Sequence, residues 1–332
     1  MRTVVITGAG TATCQGVIKA LRLQTEIPVR IVVADCDQYV AGRYLADAFE
    51  LVPFANDPAF TDRVIEITRK HNADLLVPIV DMEFLGISER RADFPCTVGI
   101  SSVETLTNCL EKDRTYTVLD ELGLMHPRVY PASDRDESTY PKFIKPRIGR
   151  ASLDTYRANN RAELELALAH VKDPLVTEFV EGVEMTIDTL SSMKGAWIGG
   201  CVRVREMTKS GVSTKGLVVY NGTVLGQARQ IVERLGITGP ACLQCFNTES
   251  GPVWFEVNPR FGGGTILSVA AGFNSPLFLL KSVLGMSVDG YAPTPVARMM
   301  RFWQEVFIDG RGNQIIPGES PTASARRSSG VA

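Results

Sequence analysis

Two polar side chains in one segment are spaced so that both could bind the same cation. Glu256 and Asn258 are two residues apart in VWFEVN (253–258), an apolar segment typical of a β-strand. Side chains alternate along a strand, so both residues point to the same face. The preceding segment ACLQCFN (241–247) has the pattern of a second strand, and residues 248–252 between them are typical of a turn. The sequence therefore predicts a β-hairpin with carboxylate and amide oxygens on one face.

The pairing of these strands adds a third oxygen ligand. If residues 248–252 form the loop, Asn247 lies opposite Val253, and counting back three residues on each strand places Gln244 opposite Glu256. One carboxylate and two amide oxygens, from Gln244, Glu256 and Asn258, then converge. Mg²⁺ prefers such hard oxygen ligands and is held by them against substrate phosphates. The alternative is an edge hairpin whose polar side chains bind no ligand.

The residues after the second strand are suited to an anion. Arg260 can bind phosphate or carboxylate, and glycines 262–264 leave backbone N–H groups uncovered. The order Q…E-x-N-x-R-x-G-G-G resembles the metal-binding end of the ATP-grasp superfamily, above all the branch that includes the carbamoyl-phosphate synthetase large chain. The resemblance implies that Gln244, Glu256 and Asn258 hold Mg²⁺, with Mn²⁺ as an alternative, under the phosphates of ATP. Arg260 would lie beside the transferred phosphoryl group.

The composition limits the classes of protein to which the chain can belong. At 332 residues it exceeds the size at which one core usually stops growing, so two or three lobes are expected. A net charge of −2 argues against nucleic acid or an anionic membrane as partner. No apolar run approaches 18 residues, and the first residues lack the apolar core of a signal peptide. Seven cysteines, an odd number, fit reduced thiols, and we expect a cytoplasmic protein.

The first hundred residues alternate between helical patterns and three apolar strand segments, 3–7, 29–34 and 75–80. This alternation predicts an α/β lobe of Rossmann-like type, with a parallel sheet covered on both faces. Gly8 and Gly10 follow the first strand, but Thr13 stands where a dinucleotide-binding turn would have its third glycine. Ligands bind at the carboxyl ends of such strands, so Asp81 and Glu83 are candidate substrate residues.

Two lysines match nucleotide-binding positions of the family. Lys112 lies in Glu111-Lys112-Asp113-Arg114-Thr115, which resembles the D-K-x-x-T of this branch with glutamate in place of aspartate. Lys145, at the end of the strand-like PKFIKP, matches the second nucleotide lysine. The resemblance implies that both contact the phosphates of ATP and that the loop 147–152 folds over them. This loop has one glycine and two arginines, whereas family loops are commonly richer in glycine.

The segment EFVEGVE (178–184) resembles the link between the two subdomains of an ATP-grasp fold. By that resemblance, the main chain of Glu178, Phe179 and Val180 bonds the adenine edge. The carboxylate of Glu184 would bond the ribose hydroxyls, because it can accept from two neighbouring O–H groups.

The basic segment 201–216 has two readings. It is either a solvated loop or a clamp on the γ-phosphate or the substrate carboxylate. For the clamp, Arg203 and Lys215 are the first candidates, and they would act with Lys145 and Arg260 in catalysis.

The resemblance also implies the organisation of the chain. A Rossmann-like lobe (1–100) would precede an ATP-grasp fold (101–308), whose two α+β subdomains would span about 101–177 and 178–308. Residues 309–332 are rich in Ser, Pro, Ala and Arg without apolar periodicity, which predicts a disordered tail.

The activity implied is that of an ATP-dependent ligase, which activates a small-molecule carboxylate as an acyl phosphate and transfers it to an amine. We expect a homodimer that binds neither nucleic acid nor membrane. The chain has no G-x-x-x-x-G-K-[ST], so a Walker loop is not its route to ATP. Two other classes stay open: a nicotinamide-dependent oxidoreductase based on the first lobe, and a nucleotide-binding protein without turnover.

Overall fold

The computed structural model describes residues 1–134, 136–149, 153–288, 297–302 and 304–315. Three larger sheets and one short hairpin account for the strands in these ranges. None of the helices in them combines the length and the apolar character needed to cross a membrane. The predicted combination of an α/β lobe with two α+β units is confirmed.

The N-terminal lobe is a five-stranded parallel sheet in the order β3-β2-β1-β4-β5. Its strands are β1 (Arg2–Thr7), β2 (Val29–Asp35), β3 (Ala48–Leu51), β4 (Leu75–Val77) and β5 (Thr97–Val98), and its helices are α1 (Ala12–Leu23), α2 (Phe60–Lys70) and α3 (Phe84–Glu89). The predicted strand 75–80 ends at Val77, and Asp81 begins a short 3₁₀ turn. Asp81 therefore lies just beyond the carboxyl end of β4, at the edge of the parallel sheet where ligands bind in such folds.

Two short helices follow, α4 (Val103–Leu110) and α5 (Lys112–Glu121). Ser102 caps α4, because its side chain accepts from the Thr105 N–H, whereas Ser101 bonds the backbone of Thr238. Tyr116 and other apolar residues of α4 and α5 are buried in the core of the large antiparallel sheet. These helices lie within the range predicted for the first subdomain, but they pack against the second.

The four-stranded antiparallel sheet has a core of its own. Its order is β6-β9-β7-β8, with β6 (Val129–Tyr130), β7 (Lys142–Pro146), β8 (Tyr156–Ala158) and β9 (Pro174–Glu178), and it is covered by α6 (Arg161–His170). Ile144, Leu164 and Val176 are central to that core. The unit therefore stands apart from the other two.

The six-stranded antiparallel sheet runs in the order β14-β13-β10-β11-β12-β15. Its strands are β10 (Val183–Ser191), β11 (Trp197–Lys209), β12 (Val212–Val219), β13 (Gly239–Thr248), β14 (Gly251–Asn258) and β15 (Arg298–Met300), and the helices α7 (Gly222–Arg234), α8 (Thr265–Ala270) and α9 (Ser275–Val283) accompany it. Val17 and Ile18 of the first lobe share one apolar core with Leu190, Leu267 and Leu279. Because of this shared core, the first lobe and the large sheet are packed into one body.

A short hairpin extends into the segment that was predicted to be a disordered tail. Phe307–Ile308 (β16) pairs with Gln314–Ile315 (β17), and the Tyr44 hydroxyl donates to the carbonyl of Gly312 at 3.2 Å. Residues 309–315 of the predicted disordered tail thus form a turn and a strand that contact the first lobe. The rest of that tail, from residue 316, lies outside the described residues.

The hairpin β13–β14 contains a β-bulge that decides which side chains face outward from the core. Its turn is two residues long, so Asn247 pairs with Pro252, and not with Val253 as predicted. Phe255 is an extra residue on β14, and beyond it Gln244 lies opposite Glu256 as predicted. The bulge also breaks the alternation of the strand: Trp254 is buried in the core, whereas Phe255 and Glu256 both line cavities.

A buried ion pair supports the turn after β14. The Arg203 guanidinium donates from Nε and Nη2 to the two carboxylate oxygens of Asp188, each at 2.8 Å, and the Ser268 hydroxyl adds a third bond to Asp188 at 2.6 Å. A Cβ atom at Gly262 would lie 2.9 Å from the Asp188 carboxylate, and one at Gly264 would overlap the Arg203 guanidinium. Glycine is therefore required here because the backbone packs directly on the ion pair.

We predict that Asp188→Asn will strongly destabilise the protein. The substitution leaves the Arg203 charge buried without its counter-charge, and breaking such a pair typically costs about 3–5 kcal/mol. Asp173→Asn is the matched control, since Asp173 pairs with Arg147 at the surface, where about 0–1 kcal/mol is typical. Denaturant unfolding measures both; an Asp188→Asn variant as stable as the control would show that the buried pair does not support the fold.

Candidate active site

Two cavities meet at one pair of residues. The larger, about 470 Å³, lies between the first lobe and the large sheet, and the smaller, about 90 Å³, opens toward the four-stranded sheet. Phe255 and Glu256 line both of them. The first lobe contributes the β1–α1 turn and the end of β4 to the larger cavity, through Thr11, Thr13, Ile79, Val80 and Asp81.

The three predicted metal ligands line the larger cavity together. Glu256, Asn258 and Gln244 are all among its wall residues, as the hairpin register requires. The Gln244 amide has two orientations: with its nitrogen toward Glu256 it donates to that carboxylate and its oxygen accepts from Arg205. With its oxygen toward Glu256, two acceptors would face each other, so the first orientation is the one that satisfies both groups. Carboxylate and amide oxygens are the ligand types that Mg²⁺ prefers, so the set is chemically suited to a hard divalent cation, and its role as a metal site stays a prediction.

Arg260 lies beside these ligands and is held from two directions. Its Nε donates to Asp81 Oδ1 at 3.2 Å, and its Nη2 donates to Asn258 Oδ1 at 3.3 Å. Asp81 thus lines the cavity, as predicted for a substrate residue, and in this structure it pairs with Arg260 across the boundary between the two lobes.

Glu83 does not lie in the cavity, although it was predicted as a substrate residue with Asp81. Its side chain is buried and accepts bonds from the Thr7 hydroxyl and from the N–H groups of Ile79 and Val80. Burial raises the pKa of Glu83 to about 7, against the lowering effect of these bonds. This carboxyl closes the turn after β4, so its role is structural.

Lys145 lines the smaller cavity with Lys112. Its ammonium donates to the Tyr116 hydroxyl at 2.9 Å and to the Phe255 carbonyl at 3.5 Å. Burial and the nearby charge of Lys112 lower the pKa of Lys145 to about 7, against the opposing effect of Glu256. Lys112 donates to the carbonyl of Gly149 at 3.3 Å. Two cations at one narrow opening are suited to a polyphosphate.

Two of the three backbone N–H groups predicted to bond adenine donate to carbonyls of the protein. The N–H of Glu178 donates to the Arg128 carbonyl at 2.9 Å, and that of Phe179 donates to the Pro141 carbonyl at 3.2 Å. The N–H of Val180 has no backbone partner within the ranges that the structure describes. Of the three predicted positions, Val180 is therefore the one with a donor to offer a ligand.

Glu184 lines the larger cavity and is paired with an arginine. Arg205 donates to Glu184 Oε1 at 2.6 Å and to the Gly211 carbonyl at 2.8 Å. Burial, partly offset by Arg205, raises the pKa of Glu184. Arg205 thus connects the predicted ribose residue Glu184 with the predicted metal ligand Gln244.

The structure separates the two predicted clamp residues. Arg203 lines the larger cavity, but two of its nitrogens are bound to Asp188. Lys215 is exposed on β12 and is not among the residues that line the described cavities.

Two residues of the site, Asp188 and Tyr116, escaped the sequence analysis, whereas Arg205 was one of the basic residues of segment 201–216, with Lys209, that could contact phosphate or substrate. Asp188 was recognisable as an acid within the apolar strand MTIDTLS. No sequence pattern singles out Tyr116, since a tyrosine in an amphipathic helix is typical of a core.

Two family models match separate parts of the chain. Residues 4–102 match the PylC-like N-terminal domain, and residues 170–305 match the model described as ATP-grasp in the biosynthetic pathway with Ter operon. Together they include the first lobe and the strands that carry Glu184, Gln244 and Glu256. Neither family is one of nicotinamide-dependent oxidoreductases, and nothing in these matches supports that alternative.

Sequence and structural relatives agree with this assignment. The arginine-specific carbamoyl phosphate synthase large chain of Bacillus subtilis is 23% identical over 226 residues, which are 61% of this chain and 22% of that protein. The D-alanine–D-alanine ligase of Corynebacterium jeikeium is 24% identical over 179 residues, 47% of this chain and 48% of that one. The chain therefore spans less than half the length of either relative.

The biotin carboxylase domain of Hydrogenobacter thermophilus 2-oxoglutarate carboxylase, solved as a dimer with MgADP, ADP and bicarbonate, has the same fold. Its TM-score is 0.68 at 13% identity, over 96% of this chain and 84% of that one. The match to the ATP-grasp model over residues 170–305 and the shared fold show that the chain contains an ATP-grasp fold, and its sequence is similar to that of a carbamoyl phosphate synthase large chain.

Proposed function

We propose that this protein is an ATP-dependent ligase that joins a small-molecule carboxylate to an amine. The observation that carries the proposal is the position of Glu256, at the wall shared by the two cavities. The lysine pair lies on one side of this wall and Arg260 on the other. Nucleotide phosphates entering from the smaller cavity would meet a carboxylate held in the larger one at this point.

In the first step, a carboxylate oxygen of the substrate attacks the γ-phosphorus of ATP. The bond between that phosphorus and the β,γ-bridging oxygen breaks, and ADP leaves with the electron pair. Lys145 stabilises the negative charge of the nucleotide phosphates. Arg260 stabilises the negative charge of the transferred phosphoryl group from the substrate side. The product is an acyl phosphate.

In the second step, the amine nitrogen attacks the acyl carbon. The carbon–oxygen bond to phosphate breaks, inorganic phosphate leaves, and the nitrogen loses a proton to solvent. The amide or peptide-like bond is thus formed at the expense of one ATP. The relative named D-alanine–D-alanine ligase supports this class of reaction.

Gln244, Glu256 and Asn258 would hold Mg²⁺, or alternatively Mn²⁺. The ion would supply charge neutralisation of the β,γ-phosphate oxygens. The convergence of carboxylate and amide oxygens on one wall of the larger cavity supports this assignment. The protein offers one formal negative charge to the ion, which leaves the phosphates as its main anionic partners.

The larger cavity supports a small anionic substrate. Its volume of about 470 Å³ lies in the range of small-molecule sites, and Arg203, Arg205 and Arg260 reach its wall. Asp81 in the same wall would accept from a donor on the substrate, such as an amine.

The proposed assembly is a homodimer, and the proposed location is the cytoplasm. The dimer is supported by the structural relative, which was solved as a domain dimer. All seven cysteines are free, and five of them are buried, which fits a reducing compartment.

Purified protein with Mg·ATP and pooled amino acids tests the proposal. ADP release that depends on the pool, with a condensed product identified by mass spectrometry, is expected. Nucleotide binding without any ADP release, across broad carboxylate and amine pools, would favour the nucleotide-binding protein without turnover.

Glu256→Gln should lower turnover on the order of 10²-fold or more and leave nucleotide binding largely intact. The substitution keeps the side-chain volume and removes the charge that holds the metal, and this charge acts on the transition state. Raised Mg²⁺ should restore part of the activity. Glu249→Gln, in the exposed turn of the same hairpin, is the matched control. Turnover equal to that of the control, at unchanged melting temperature, would remove Glu256 from the mechanism.

ADP affinity should fall as the pH rises above about 7. The pKa of Lys145 is lowered to about 7 by burial, so the free protein loses this charge above that pH, whereas the phosphate-bound form needs it. The expected loss approaches tenfold per pH unit until the pKa of the bound state is reached. Calorimetry from pH 6 to 8.5, with Lys145→Met as control for the titration of ADP itself, measures the effect. Identical pH profiles for the parent and Lys145→Met would contradict the assignment.

A further inference from the structure

We propose that Tyr116 is a positioning residue for Lys145, and that its hydroxyl keeps the ammonium at the wall between the two cavities, in the position where phosphate binds it. The inference rests on the proposed nucleotide site and goes beyond it, since it assigns a function to a side chain from a helix of the core. Tyr116 itself lines neither described cavity. It therefore acts through Lys145.

The contacts of the Lys145 ammonium carry the inference. It donates to the Tyr116 hydroxyl at 2.9 Å and lies 5.4 Å from the centre of the Tyr116 ring. Its other described acceptor is the Phe255 carbonyl at the longer distance of 3.5 Å. The Tyr116 hydroxyl in turn donates to the same carbonyl at 3.5 Å. The phenol is therefore the closest group that fixes this ammonium.

Tyr116 is itself held rigidly. Only 2% of its surface is exposed, and its ring stacks on His126 with centroids 4.5 Å apart. The residue before that histidine, Met125, accepts from the N–H of Trp254 on β14 at 2.8 Å. The ring is thus fixed to the same strand that carries Phe255 and Glu256, so it can locate the lysine relative to them.

Lys142 is a second buried lysine on β7, the strand of Lys145, and its ammonium has a charged partner. Lys142 is fully buried, and its ammonium donates to the Asp134 carboxylate at 3.0 Å while it lies 5.1 Å from the Tyr130 ring. That lysine has a counter-charge and lines neither described cavity. Lys145 has a neutral phenol in the equivalent place, and a neutral acceptor does not offset the charge of the ammonium as a carboxylate does. An ammonium has three N–H donors, so Lys145 can keep its bond to the phenol and offer another to an incoming phosphate.

The test is a double-mutant cycle read with two ligands. Tyr116→Phe keeps the ring and removes the hydroxyl, Lys145→Met removes the ammonium, and Tyr130→Phe is the matched control at the other buried lysine. Calorimetry gives the affinity of each variant for ADP and for adenosine, which lacks phosphate. Melting temperatures show that each variant is folded.

Tyr116→Phe should weaken ADP binding about tenfold, since the ammonium is no longer held in place and must be ordered when phosphate binds. Adenosine affinity should stay within about twofold, because no phosphate is involved. In the Lys145→Met background the same substitution should have no effect on ADP, and coupling of this kind identifies residues that act as a unit. Tyr130→Phe should leave both affinities unchanged.

Three results would overturn the inference. Unchanged ADP affinity, an equal loss for ADP and adenosine, or the same loss in the Lys145→Met background would each show that Tyr116 does not act through the lysine. Failure of the parent protein to bind ADP is a different outcome: it removes the proposed nucleotide site and the inference with it.

Discussion

The β-bulge at Phe255 is the constraint on which the site depends. In a regular strand, Trp254, Glu256 and Asn258 would share one face, and a large apolar ring would lie beside the polar ligands. The extra residue turns Trp254 into the core, and Phe255 and Glu256 line cavities. The same bulge leaves the Phe255 carbonyl available to Lys145. Because of one inserted residue, Trp254 packs in the core while Phe255 and Glu256 both line the cavities.

Charge pairing defines the polar wall of the larger cavity. Arg260 pairs with Asp81, Arg205 pairs with Glu184, and Arg203 is bound to Asp188 behind the glycine turn. Buried charges are costly unless they are paired, so each of these arginines has a carboxylate of its own. A bound nucleotide and an anionic substrate would replace carboxylates as the partners of these arginines. The Arg203 pair is the most deeply buried of the three, with side-chain exposures of 2% and 4%, and we assign it a supporting role.

Much of the fold and part of the site were predictable from the sequence, because both depend on periodic patterns. Alternation of strand and helix predicted the first lobe, and residue order in the hairpin predicted that Gln244 faces Glu256. That register was right although the turn was misjudged, since the shorter turn and the bulge compensate. Glu83 and Lys215 were misplaced because spacing along the chain does not show whether a polar side chain closes a turn, faces solvent or faces a ligand. The contact between Tyr116 and Lys145 joins positions 29 residues apart and depends on tertiary packing alone.

The proposed mechanism depends on a divalent cation held by Glu256 and Asn258 where nucleotide and substrate meet. A crystal structure of the protein with Mg·ADP would show whether the ion is there. We expect density for an ion about 2.0–2.1 Å from oxygens of both side chains, with the nucleotide phosphates beside Lys145. Mg·ADP bound elsewhere, or bound here with no ion at Glu256 and Asn258, would disprove the mechanism.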